Sequence, residues 1–173
     1  MTWLATDPQQ ALDWDGVARM FPAATEAVGH LHQVLWQQLD PVLLELCRLR
    51  SAQLLGFGAG LALRVDAATE AGLGEEKIAA LSHWPGSPLF TTGERACLAL
   101  AEQVVIDAKG VTDELVADVL RHLSPAACYS LVEAVCTSET LQRASMVLGL
   151  PASPEANWLP SHTVVQAARG RQR

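Results

Sequence analysis

The sequence predicts an all-α fold in a single domain, and three features carry that prediction. Alanine and leucine dominate a chain that is 50% apolar and only 5% aromatic. Runs of alternating β-branched residues are hard to find. Several segments begin on a capping residue, often with proline at the first helical position, and end on glycine, the punctuation of helices. At 173 residues the chain has the length of one domain with a sizeable core.

In chain order, residues 1–20 place Trp3 and Trp14 among polar residues and are expected to wrap the surface of the body or of a neighbouring subunit. A helix follows from Pro22 to about Leu39 and contains His30 and His32. Histidines two residues apart face different sides of a helix, so they are not read as a metal pair. One is expected at the surface and the other at an interface.

The stretch from Asp40 to Gly72 is the centre of the sequence. Asp40 caps a helix with Pro41 at its first position, and two apolar segments, Leu43–Leu55 and Leu61–Ala71, are predicted as helices hinged at Gly56, Gly58 and Gly60. The GFGAG run lacks the glycine that a dinucleotide loop needs at Leu61 and no strand precedes it, so it is read as a kink.

Beyond Gly72, Glu75 and Glu76 open a short helix to Leu81. The connection HWPGSPLF is expected to anchor Trp84, Leu89 and Phe90. Thr92 begins a long helix, Thr112 caps another with His122 in its last turn, and Ser124–Pro125 start a final helix that stops at Gly149. The domain is assigned to residues 1–160 and a basic flexible tail to residues 161–173, with Arg169, Arg171 and Arg173 at its end.

The stretches LLELCRLRSAQLLG, ATEAGLGEEKIAAL, HWPGSPLFTTGERACLALAE and LVEAVCTSETLQRASMVLGLP occur in an order and spacing that resemble the carboxymuconolactone decarboxylase family, in its alkyl hydroperoxidase D-like branch. The resemblance covers about Asp40 to Pro151. It implies an all-helical alkyl hydroperoxidase D-like fold assembled as a homo-oligomer, a trimer or hexamer built around the Asp40–Gly72 helices. The apolar character of that stretch on all sides points independently to burial between subunits.

The redox branch of the family uses a glutamate, a cysteine twelve residues on, a second cysteine three further, and a histidine four beyond. Those four positions here hold Glu45, Phe57, Gly60 and Arg64. The thiolate nucleophile, its resolving thiol and the histidine are replaced, so the resemblance implies the fold while the residues withdraw the thiol chemistry. Asparagines that many members carry before the arginine of the last helix are also replaced, in TSETLQR, where Arg143 remains.

Glu45 has two readings. It pairs with Arg48 one turn on, as surface residues do, or it lines an internal pocket and meets Arg64, because the family fold brings those two positions together. The expectation taken forward is a Glu45–Arg64 ion pair across the former active site. None of the four cysteines takes over the redox role: Cys97 reads as core, Cys128 and Cys136 are about 12 Å apart along one helix, and Cys47 points away from Glu45.

A net charge of −7 argues against nucleic acid or an anionic membrane as partner, and no apolar run is long enough to span a bilayer. Widely spaced cysteines and the absence of a charged-then-apolar leader fit a reduced cytoplasm. No cofactor is expected. The function expected first is a family member without thiol peroxidase chemistry that binds a small molecule or a protein partner, a cysteine-bearing homologue among the candidates. A non-redox acid/base enzyme acting on a small carboxylate through Glu45 and Arg64 is the alternative, and an antioxidant peroxidase is third.

Overall fold

The structure, a computed structural model, describes residues 12–152 and 160–164. Helix α1 (Trp14–Met20) starts at Asp13, whose carboxylate accepts the Gly16 N–H at 2.7 Å. Helix α2 (Pro22–Trp36) carries His30 at the surface and His32 buried against α3 (Pro41–Leu55) and α9 (Pro125–Leu148). Trp14 is buried in the core, and Trp3 lies outside the described residues.

Helix α3 is the axis of the fold. Asp40 Oδ1 accepts the Leu43 N–H at 3.0 Å, Pro41 occupies the first turn, and Gly56 closes the helix in the left-handed region at φ 68°. It packs against α7 (Thr92–Asp107) and α9, burying Leu43, Leu44, Leu46, Cys47, Leu49 and Ala52. This corrects one expectation: the all-round apolar surface of this helix is consumed within one chain, so it carries no argument for burial between subunits.

The segment after Gly56 departs from the predicted helix. Three short elements replace Leu61–Ala71: α4 (Gly58–Leu61), strand β1 (Leu63–Val65) and α5 (Asp66–Glu70). Two glycines weaken α4 as a helix, and the backbone of β1 is held by long-range partners that no local pattern announces. Its outer edge pairs antiparallel with β2 (His162–Val164), with Leu63 opposite Val164, Arg64 opposite Thr163 and Val65 opposite His162. The expected boundary at residue 160 is therefore corrected, since residues 161–164 return to the body; the rest of the basic tail lies outside the described residues.

The remaining elements follow the sequence closely. Helix α6 (Glu75–Ala79) runs into a 3₁₀ segment (Ala80–Gly86), and Trp84 Nε1–H donates to Glu102 on α7 at 2.6 Å. Phe90 is buried with Lys77 Nζ 5.5 Å from its ring centroid, whereas Leu89, expected as a second anchor, is exposed. Thr91 and Glu94 form a reciprocal capping box at the start of α7. Thr112 caps α8 (Asp113–Leu120), Ser124 caps α9, and Gly149 ends α9 at φ 66°. His122 lies just beyond α8, its ring against Gly93.

Candidate functional site

Glu45 and Arg48 lie one turn apart on α3, and both side chains are 1% exposed. Arg48 Nε donates to Glu45 Oε2 at 2.7 Å and Nη2 donates to Oε1 at 2.7 Å, a two-pronged pair. The guanidinium also donates to the backbone oxygens of Gly60 at 2.9 Å and Leu63 at 2.8 Å, while Glu45 Oε1 accepts the Val65 N–H at 3.3 Å. The pair thus does for the inner edge of β1 what a neighbouring strand would do. Five charge-assisted bonds to the backbone and to each other offset the cost of removing both ions from water.

Arg64 does not meet Glu45. It turns outward, with Nε 2.8 Å from Glu75 Oε1 and Nη1 donating to the carbonyls of Leu61 and Leu63 at 2.7 and 2.9 Å. The hydrogen bonds from Arg64 hold the Glu75 carboxyl below its usual range. The expected Glu45–Arg64 pair is corrected to two separate pairs, because Arg48 is already in reach of Glu45 one helical turn away while strand geometry at residues 63–65 directs Arg64 toward α6.

At positions 57 and 60, which the resemblance sets against the two thiols of the redox branch, the structure holds a large side chain against a glycine. Phe57 is buried, and a Cβ built on Gly60 would sit 2.8 Å from Phe57 Cε1 and closer still to Cδ1, with Ala52 Cβ at 3.4 Å. Gly60 is required here for space, since its φ is not in the positive range. The ring of Phe57 occupies the volume that any side chain at 60 would enter.

The cysteines stand elsewhere. Cys47, Cys97 and Cys128 are buried and Cys136 is exposed. Burial pushes the Cys47 thiol far up and the Cys97 thiol up to about 12, so neither supplies a thiolate near neutral pH. Cys128 and Cys136 are also raised by desolvation. Among the described residues no three His, Cys, Asp or Glu side chains form a metal-binding group.

Sequence reasoning underweighted Arg48 and missed the groups around it. Gln142 on α9, fully buried, donates from Nε2 to Arg48 O and to Ser138 Oγ, both at 3.1 Å, tying α9 to α3. The signal was present in the Glu45–Arg48 spacing; what hid it was the rule that charged pairs at that spacing lie in water. Beside this cluster, His32, Trp36, Cys47, Arg48 and Ser138 line a void of about 10 Å³, room for one water at most. Two larger clefts lie elsewhere: one of about 390 Å³ lined by Asp40, Glu94, Cys97 and His122, and an apolar groove of about 240 Å³ between α1, α2 and α9.

With the geometry in hand, comparison places the chain. The family model described as the carboxymuconolactone decarboxylase family matches residues 22–103. No curated protein matches the chain. A solved structure of a protein of unknown function from Agrobacterium tumefaciens, described as a candidate antioxidant defence protein AhpD, is similar with a TM-score of 0.68 at 24% identity, over 77% of this chain and 92% of that one. The likeness shows a shared fold, which in this chain is a body of helices with a two-stranded sheet among the described residues. The matched residues 22–103 carry α2, α3 and the whole of the Glu45–Arg64 stretch, and it is this part of the chain that is similar to the carboxymuconolactone decarboxylase family.

Proposed function

We propose that this chain is an alkyl hydroperoxidase D-like family member that runs no thiol peroxidase chemistry and acts by binding a small molecule or a protein partner. The observation that carries the reading is the Phe57–Gly60 contact. An aromatic ring with no redox chemistry stands at the first thiol position, and it fills the space needed by a side chain at the second. Glu45, the one retained group of the motif, is committed to Arg48 and to the Val65 N–H, which supports a structural role for it. Homo-oligomer formation belongs to the same proposal. The apolar groove between α1, α2 and α9, flanked by exposed Phe21, Met146 and Val147, supports a binding role, since groove and flanks expose apolar surface to solvent.

The test is reduction of an organic hydroperoxide by the purified chain with a dithiol reductant. The reading predicts no turnover above the reductant alone. Catalytic turnover that is lost on replacing Cys47 or Cys136 would overturn it.

A further inference from the structure

We propose that the cleft between the start of α3, the start of α7 and the turn joining α8 to α9 is a binding site for a small organic cation, an ammonium group carried on a short apolar body. The site goes beyond the function proposed above, which names no ligand, and rests only on its small-molecule branch.

The cleft has the size and the mixed wall of a small-ligand site. Its volume is about 390 Å³, within the range of pockets that hold small molecules. Val42, Leu43 and Leu123 supply apolar surface, while Asp40, Thr91 and His122 bring polar groups from separate elements to the same space. Among the described residues no lysine or arginine lines it.

What these polar groups have left to offer decides the ligand. Each helix start already holds a carboxylate of the chain's own: Asp40 Oδ1 accepts the Leu43 N–H, and Glu94 Oε2 accepts the Thr91 N–H. The place an anion takes at a helix start is thereby occupied. Glu94 is matched by Lys77 Nζ at 2.6 Å, whereas Asp40 makes no ion pair among the described residues and its Oδ2 accepts no bond there. Asp40 therefore brings a negative charge to the cleft that no side chain offsets.

The neighbouring groups add acceptors beside that charge. His122 has no hydrogen-bond partner among the described residues, and it sits against Gly93, where a Cβ would come within 3.3 Å of its Cγ. An imidazole accepts through its unprotonated nitrogen. Cys97, 1% exposed and without a hydrogen-bond partner among the described residues, adds a sulfur acceptor to the wall. Free acceptors around an unmatched carboxylate complement a cationic donor and repel an anion.

The test follows the amide spectrum of the isotope-labelled full chain as benzylammonium is added, beside benzyl alcohol and benzoate, a neutral and an anionic molecule of like shape. The expected result is saturable shifts at the amides of Leu43, Gly93 and Leu123 with benzylammonium, binding of benzyl alcohol weaker by about threefold to fivefold, and no shifts there with benzoate. Asp40→Asn removes the charge and keeps a side chain that caps a helix as well, so the folded spectrum should persist while affinity for benzylammonium falls by a similar factor. His122→Ala, which touches no cap, should weaken it about threefold. Equal affinity for the ammonium and the alcohol, tighter binding of benzoate, or unchanged affinity in either variant overturns the proposal, as does the absence of saturable shifts at these amides. Shifts confined to Val17 and Val28 in the apolar groove overturn it too but leave the small-molecule reading standing, so the two failures are told apart.

Discussion

Two arginine–carboxylate pairs stand within about one helix and a turn of each other, chemically alike and physically opposite. Arg48–Glu45 is sealed in the core, whereas Arg64–Glu75 joins an arginine whose side chain is 11% exposed to a carboxylate whose side chain is 69% exposed. The first holds the backbone of β1 and the second lies on its outer side. What separates them is water: the same contact in a dry interior decides local structure, and at the surface it is screened and contributes little.

The largest expected effect comes from breaking the buried pair. Arg48→Ala should lower stability by about 3–5 kcal/mol, because it leaves a buried carboxylate and two backbone carbonyls without their donor. Glu45→Leu combined with Arg48→Met should cost less than the sum of the single changes, which chemical denaturation of all three variants measures. Phe57→Ala should follow at about 3 kcal/mol or more, the usual cost of removing a buried ring. An Arg48→Ala loss no larger than that of an exposed pair would erase the contrast between the two regions.

Hydrogen exchange sharpens the comparison at single amides. The Val65 N–H faces Glu45 in the core and the Asp66 N–H faces Ser161 on the strand from the C-terminal region. Val65 should exchange near the global opening rate and Asp66 much faster, through detachment of β2 alone. Equal protection at these neighbours would show that both edges of β1 open together.

The surface pair gives the smaller effect. Glu75→Ala should cost less than about 1 kcal/mol, because it removes the exposed partner and leaves Arg64 its bonds to the Leu61 and Leu63 carbonyls. Because Arg64 lowers the Glu75 carboxyl, the stability from this pair is present at neutral pH and lost as the pH falls below the ordinary carboxylate range through the folded value. Melting of wild type and Glu75→Ala should therefore converge in acid. Smallest in stability but easily counted, one thiol of the four, Cys136, should react with an aromatic disulfide reagent in the native state and all four after unfolding. The raised thiols act in the opposite sense from Glu75: above their ordinary range the unfolded chain ionises first, and stability falls as the pH rises.

The helical frame was legible because its signals are local. Asp40, Thr112 and Ser124 cap where expected, and Gly56 and Gly149 stop helices in the left-handed region. The candidate site was legible only through the resemblance, which sets Phe57, Gly60 and Arg64 where the redox branch carries two thiols and a histidine. Strand β1 escaped notice because three residues cannot display an alternating pattern and because its partners come from α3 and from residues 161–164, far along the chain. Arg48 was misjudged for a related reason: a sequence gives the spacing of a charged pair but not its burial. Here burial turns a pair worth tenths of a kcal/mol in water into the support of the fold's centre.

Phe57 and Gly60 form a packing unit, with the ring at 57 in the space left empty at 60. A double-mutant cycle over Phe57→Ala and Gly60→Ala tests it most directly, read by equilibrium unfolding. The predicted result is that Gly60→Ala destabilises the chain by about 1–3 kcal/mol when Phe57 is present and is tolerated once the ring is gone. Equal effects of Gly60→Ala in the two backgrounds would contradict it.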